Sequence, residues 1–221
     1  MPDTAPASIA ALDRHGIAAR IARDIPEGWY VNLGIGIPTL VAEHVPLQRE
    51  VIFHSENGVL GVGPSPAPGA VNPWLINAGK QPVTLRPGGA FVHHADSFAI
   101  IRGNHLDLCV LGAFEVAENG DIANWATGKN DAASAVGGAM DLAVGAKRLW
   151  VAMEHTTKDG MPRLVERCTY PLTASGAVKR VYTNLAMLEI TPRGFVVLEM
   201  VRGLDFEQLQ RSTGAQLFHP E

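Results

Sequence analysis

Val51-Ile52-Phe53-His54-Ser55-Glu56-Asn57-Gly58 carries two signals in eight residues. Three apolar residues in a row predict a short buried strand, and Asn57-Gly58 predicts the turn that ends it. Glu56 therefore falls just past the carboxyl end of a strand, the edge at which open α/β sheets bind ligands. A carboxylate in that place serves as a nucleophile, as a general base, or as a plain turn residue. Asn-Gly is also a hairpin signal. The local pattern leaves all three open.

Working outward, Trp29 to Leu33 predicts a strand, Gly34-Ile35-Gly36-Ile37-Pro38 a turn, and Thr39 to His44 a helix with Pro38 in its first turn. Strand, glycine turn, helix is a phosphate-cradle arrangement, because free N–H groups point outward at a helix start. The third glycine of a dinucleotide fingerprint and the Lys-Ser/Thr of a P-loop are both missing. Tight strand–helix packing explains Gly34 and Gly36 equally well. Ahead of it, Ser8 to Ile25 has helical spacing, with Gly16 a possible break.

Downstream, the prolines between Pro64 and Pro73 exclude regular structure and leave a lid, an interface arm or a plain surface connection. Val83 to Leu85 and Ala90 to His93 read as two strands around Arg86-Pro87-Gly88-Gly89. Asp96 or Ser97 can cap a short helix through Ile101. Leu106 to Leu111 is an apolar central strand, and Glu118 to Asp121 a hairpin turn. A polar connection, Thr127 to Ser134, leads to Gly137-Gly138 and a small-residue helix. Adjacent glycines there leave backbone N–H groups unobstructed, which suits an oxyanion as well as close packing. Arg148 to Met153, Val178 to Tyr182, Ala186 to Ile190 and Phe195 to Met200 read as strands. The last two pair across Thr191 to Gly194, and Asp205 caps a final helix. Strands alternating with helices predict a single α/β domain over 1–221 with a largely parallel sheet.

Composition narrows the function. The chain has 221 residues, 47% hydrophobic, and a net charge of −4 with mixed signs. No basic cluster exists for nucleic acid, and no apolar run is long enough to span a bilayer. Met1 to Ser8 lacks the pattern of a secretory signal, so a cytoplasmic protein is expected. Cys109 and Cys168 fit no metal spacing and read as reduced thiols. His93 and His94, read as strand neighbours, face opposite ways and would not chelate one ion, so no metal is expected. His155, in Glu154-His155-Thr156-Thr157, is either a base or a hydrogen-bonded structural residue.

Ser55-Glu56-Asn57-Gly58 is accompanied, in order, by Asn32 to Pro38, Leu75-Ile76-Asn77-Ala78-Gly79-Lys80, Ser97 to Gly103, Ala123-Asn124-Trp125 and Gly137 to Leu142. Together these motifs resemble the beta subunits of the family I 3-oxoacid CoA-transferases, from about Ile17 to Gly214. Gly63 to Gly69, Phe91 to Phe98 and Ala135-Val136-Gly137-Gly138 look most like the branch acting on 3-oxoadipate in aromatic catabolism. Acetoacetate-specific members usually carry Lys-Gly-Met where this chain has Ser134-Ala135-Val136.

The resemblance implies a three-layer α/β/α, Rossmann-like fold. It implies Glu56 as the nucleophile that carries CoA from succinyl-CoA to a 3-oxoacid as a glutamyl thioester, CoA being a substrate and no cofactor being needed. It implies a partner, the family's alpha subunit, in a heterotetramer. It places the loop of Gly34 and Gly36 beside the acyl-CoA site, where Asn57, Gly137 and Gly138 are further candidates, the two adjacent glycines as oxyanion donors. Arg102 is a candidate for a dicarboxylate's far end, or a helix-end charge. Two other classes compete. A sugar-phosphate isomerase of similar fold would use Glu56 as base and needs a cation near the glycine loop, and none lies within Gly34 to His44. A ligand-sensing module needs a helix-turn-helix for which no segment is spare.

Overall fold

The computed structural model describes residues 9–128 and 135–221. Helix α1 (Arg14–Asp24) leads into β1 (Tyr30–Leu33), a 3-10 turn (Ile37–Leu40) and α2 (Val41–His44). Then come β2 (Ile52–Ser55), β3 (Val59–Val62), β4 (Leu85–Phe91), α3 (His94–Arg102), β5 (Leu108–Leu111), β6 (Glu115–Ala117) and β7 (Ile122–Ala123). Next are α4 (Ala139–Gly145), β8 (Leu149–Met153), β9 (Leu164–Val165), β10 (Val178–Thr183) and β11 (Ala186–Thr191). Finally come β12 (Gly194–Met200), α5 (Phe206–Arg211) and β13 (Leu217–Phe218).

Ten strands form one sheet in the order β13-β12-β11-β10-β8-β5-β1-β2-β3-β4. The run β10-β8-β5-β1-β2 is parallel throughout. Antiparallel hairpins extend it on both sides, because Asn57-Gly58 and the Thr191 to Gly194 turn each reverse the chain. The sheet is thus parallel at its centre and mixed at its flanks. Every residue of β5 and β8 is buried, as strands covered on both faces require. Successive residues of β5 enter opposite cores. Cys109 and Leu111 pack with Ile101, Leu142 and Leu209 of α3, α4 and α5. Leu108 and Val110 pack with Ile17, Ile21 and Val41 of α1 and α2. This gives the expected α/β/α layers. A second sheet, β7-β6-β9, pairs β6 with β7 antiparallel across the expected hairpin turn Glu118 to Asp121, while β9 has no counterpart in the sequence reading. No helix among the described residues is long and apolar enough to cross a membrane.

Three boundaries differ from the sequence reading. Helix α1 starts at Arg14, since Asp13 Oδ1 accepts from the Gly16 N–H at 2.7 Å and caps it; Gly16 lies inside the helix. Residues 83–93 do not form two strands around a turn. A single strand, β4, runs through Arg86-Pro87-Gly88-Gly89, with a register shift against β3 between Leu60 and Val62. Pro87 is tolerated because β4 is an edge strand. At the shift, a Cβ on Gly61 (φ +82°) would stand 2.8 Å from Gly89 Cα, so only glycine allows that approach. Finally, His93 rather than Asp96 or Ser97 caps α3, its Nδ1 accepting from the Ala95 N–H at 3.1 Å. In the predicted polar connection, 129–134 lies outside the described residues.

Candidate active site

Glu56 follows β2 directly, in the turn to β3. Both readings of Asn57-Gly58 hold at once: the turn ends a parallel strand and starts a hairpin. Gly58 has φ +102° and donates to the Ser55 carbonyl at 2.9 Å. The Glu56 carbonyl accepts from His94 Nδ1–H at 3.1 Å, which ties the turn to the first residue of α3. His94 in turn packs on Phe98, ring centroids 4.9 Å apart.

The Glu56 side chain is half-buried, and no hydrogen bond to its carboxylate occurs among the described residues. Burial pushes its carboxyl above the usual 4.5, and His94 opposes that rise. The start of α4 lies against it: a Cβ on Gly138 would stand 3.5 Å from Glu56 Oε1 and 3.0 Å from Phe98 Cζ. Gly137 has φ +55°. Neither glycine's N–H has a partner among the described residues. A carboxylate beside unsatisfied N–H donors is suited to acyl chemistry, in which negative charge develops on a carbonyl oxygen.

A cavity of about 880 Å³ opens over the carboxyl ends of β1, β5 and β8. Gly34, Gly36, Glu56, Gly137 and Gly138 line it together, as do Phe114, Asn124, Trp125 and Glu154. Its size is that of a site for an extended small molecule. Gly34 also packs tightly: its N–H donates to Val110 O at 2.8 Å, and a Cβ there would meet Leu111 Cδ2 at 2.9 Å.

Beneath Glu56 lies a buried polar network. His54 Nδ1 is 3.0 Å from Asn32 Nδ2, and its Nε2 is 2.8 Å from Ser97 Oγ. The Asn32 amide donates to the ring and to the His54 carbonyl, so Nδ1 is the acceptor and Nε2–H donates to Ser97. Burial pulls the His54 pKa down to about 4, which keeps this tautomer neutral. The network joins β1, β2 and α3 under the turn. Ser55 Oγ accepts from the Ala78 N–H at 2.9 Å and holds the 75–80 loop behind it.

Two predicted site residues stand elsewhere. Asn57 is exposed and donates to Ile76 O at 2.7 Å, fixing the turn and not lining the cavity. Arg102 is outside it too: its guanidinium pairs with Asp141 at 2.8 and 3.2 Å and lies 5.3 Å from the Phe98 ring centroid, bridging α3 to α4 as a helix-end charge. His155 is structural, with Nδ1 3.0 Å from Thr183 Oγ1 and Nε2 2.9 Å from Thr213 Oγ1. No group of three or more His, Cys, Asp or Glu among the described residues is arranged for a metal ion.

The sequence reading missed Arg14 and Arg163, which both line the cavity. No cation lies within Gly34 to His44, yet α1 brings Arg14 Nη2 to 3.9 Å from where a Gly36 Cβ would stand. No local signal marks either arginine. His94, which the sequence raises only as a metal question beside His93, is the neighbour that holds Glu56.

Residues 14–208 match the family described as coenzyme A transferase. Over 206 residues the chain is 57% identical to the beta (B) subunit of the 3-oxoadipate CoA-transferase of Acinetobacter baylyi, covering 93% of this chain and 95% of that protein. It is 45% identical over 203 residues to the corresponding B-type subunit of the succinyl-CoA:3-ketoacid coenzyme A transferase of Helicobacter pylori, covering 92% and 97%. Among solved structures, an acyl-CoA transferase of Escherichia coli O157:H7 superposes with a TM-score of 0.73 at 20% identity, over 95% of this chain and 43% of that one, a likeness of fold.

Proposed function

The chain belongs to the coenzyme A transferase family, and from that premise we propose that it moves CoA from succinyl-CoA to 3-oxoadipate through a glutamyl-CoA thioester on Glu56. The observation that carries this reading is the half-buried Glu56 carboxylate, with no hydrogen bond among the described residues, beside Gly138 in the large cavity. The 57% identity to one half of a 3-oxoadipate enzyme supports the acceptor.

Exchange of CoA between two carboxylic acids is near thermoneutral, so neither ATP nor a metal is required. Glu56 attacks the thioester carbonyl of succinyl-CoA, the carbon–sulfur bond breaks, and CoA thiolate leaves an acyl-glutamyl anhydride. The thiolate then attacks the glutamyl carbonyl, releasing succinate and leaving CoA on Glu56. The 3-oxoacid carboxylate reverses both steps. Charge builds on a carbonyl oxygen in each tetrahedral state, where the Gly137 and Gly138 N–H groups are the available donors. One good donor of this kind contributes roughly 3–4 kcal/mol.

An anhydride must be kept from water. Ile35, 69% exposed, lines the cavity beside the partly exposed Phe114. Such an apolar rim fits closure by an alpha subunit, the second half of a heterotetramer.

The test is trapping. The complex of both subunits is incubated with succinyl-CoA alone and then reduced with borohydride. The enzyme should be irreversibly inactivated and the reduced residue should be Glu56. A label on Glu154, which lines the same cavity, refutes the assignment. Acetoacetate used as efficiently as 3-oxoadipate refutes the acceptor.

A further inference from the structure

Two guanidinium groups line the Glu56 cavity, Arg14 and Arg163, and neither side chain forms an ion pair or hydrogen bond among the described residues. An arginine without a partner in a ligand-sized cavity is a group waiting for an anion, since its planar fork matches a carboxylate. Arg14 is exposed, so an ion pair there is screened by water. Arg163 is half-buried, and a pair with it is worth more.

Arg163 also stands three strands along the sheet from Glu56. Its N–H donates to the His155 carbonyl at 3.1 Å, which fixes its backbone just past the end of β8. Glu56 stands just past the end of β2, and β5 and β1 lie between. Three strand spacings come to about 14 Å. An extended six-carbon diacid measures roughly 6 Å between its terminal carboxyl carbons, taking ~1.5 Å per C–C bond along a zigzag. A contact distance of about 3 Å at each end brings the whole to about 12 Å, which the spacing of the two strand ends accommodates. No ion pair or hydrogen bond joins Arg163 to Glu56 among the described residues, so Arg163 is not spent on the nucleophile. Glu154 lines the same cavity, and no ion pair joins it to Arg163.

We infer that Arg163 binds the far carboxylate of the acid whose near carboxyl reacts at Glu56, and so selects dicarboxylic over monocarboxylic acids. This rests on the function proposed above and adds the residue that reads the substrate. Arg102, the sequence-based candidate, is occupied by Asp141 and lies outside the cavity.

The experiment uses the two-subunit complex. First, adipate and hexanoate are titrated into it calorimetrically, with no turnover required. The wild type should bind adipate more tightly, and Arg163→Gln should shrink that adipate-over-hexanoate ratio roughly 10–100-fold, the loss of one charge-assisted contact. Arg163→Lys should recover part of the ratio, keeping the charge but not the fork. Arg163→Met, which keeps the apolar stem, serves if the glutamine variant fails to fold. Arg102→Gln, outside the cavity, should leave the ratio in place. No preference in the wild type, an unchanged ratio in Arg163→Gln, or equal loss for both acids overturns the inference. Trapping on Glu56 is read in parallel. A missing adduct with an Arg163-dependent ratio sinks only the covalent mechanism. A normal adduct with an unchanged ratio sinks only the role of Arg163.

Discussion

Two parallel strands end in the same residue types. Strand β2 closes on His54 and Ser55 with Glu56 just past it; Glu154 and His155 follow β8. The outcomes differ. At β8, His155 is fully buried with both ring nitrogens engaged by Thr183 and Thr213, and its N–H donates to Asn184 Oδ1 at 2.8 Å. At β2, His54 is equally satisfied. Glu56 and Glu154 are both half-buried in the same cavity, and neither carboxylate forms a hydrogen bond or ion pair among the described residues. What differs is the surroundings: the start of α4 stands against Glu56, where a Cβ on Gly138 would lie 3.5 Å from its Oε1. The difference teaches that neither residue type nor an open carboxylate marks a site by itself; backbone donors placed beside it do.

The harshest way to break this comparison is to delete each glutamate. Glu56→Ala in the two-subunit complex should cut turnover by ~10⁴-fold or more, the usual loss for a covalent nucleophile. Glu154→Ala should cost no more than ~10-fold, since it leaves that nucleophile in place. Steady-state kinetics on both variants decides it, and equal losses would erase the distinction.

The satisfied histidines are tested by acid. Burial holds the pKa of both His54 and His155 down to about 4, from 6.5. The unfolded chain therefore takes up their protons first. Stability should be full above pH 6.5 and fall as pH drops toward 4, by about 3 kcal/mol for each histidine. Urea unfolding between pH 7.5 and 4.5 should show that slope, and His155→Gln should remove its share. A variant with an unchanged slope would mean that the ring is not held neutral.

Two glycines then sharpen the contrast between site and scaffold. Gly138→Ala places a methyl between Phe98 and Glu56 Oε1 and should cost roughly 10²-fold in kcat, the usual result of a small misplacement at reacting atoms. Its melting temperature should move little, because the clash is with a ring edge. Gly34→Ala drives a methyl into Leu111 and the Val110 carbonyl and should cost ~1–3 kcal/mol of stability. The reverse pattern would exchange their roles.

Much of this was written locally in the chain. The end of β2, the Asn57-Gly58 turn and the Gly137-Gly138 pair are short-range signals, and the continuous apolar runs of β5 and β8 announce strands buried on both faces. Asp205 and Gln208 even spell out the capping box of α5. What escaped depends on neighbours distant in sequence. Pro87-Gly88-Gly89 carries turn chemistry and is a strand only because β4 is an edge. Strands β7 and β9 are two residues each, too short for a period. Arg14 and Arg163 reach the cavity from α1 and from the segment after β8. Arg102 looked available because its partner, Asp141, is 39 residues away.

The smallest effect probes the burial of Glu56 itself. Glu56 is raised above its usual 4.5 by burial, so the folded protein holds that proton more tightly than the unfolded chain. At neutral pH the residue is a charge kept partly out of water, and folding is the weaker for it. Glu56→Gln keeps the shape and removes the charge. It should therefore raise the melting temperature at pH 7, by an amount within the ~0.5–2 kcal/mol typical of single stabilising changes. The gain should fade as pH falls through the raised pKa and be gone below 4.5, where the wild-type carboxyl is protonated in both states. Calorimetry at pH 7.5 and pH 4 on freshly purified protein reads both limits, with mass spectrometry confirming that the amide has not hydrolysed back to the acid. If Glu56→Gln is neutral or destabilising at pH 7, burial of Glu56 is not held against the stability of the fold, and the two strand ends are more alike than their geometry indicates.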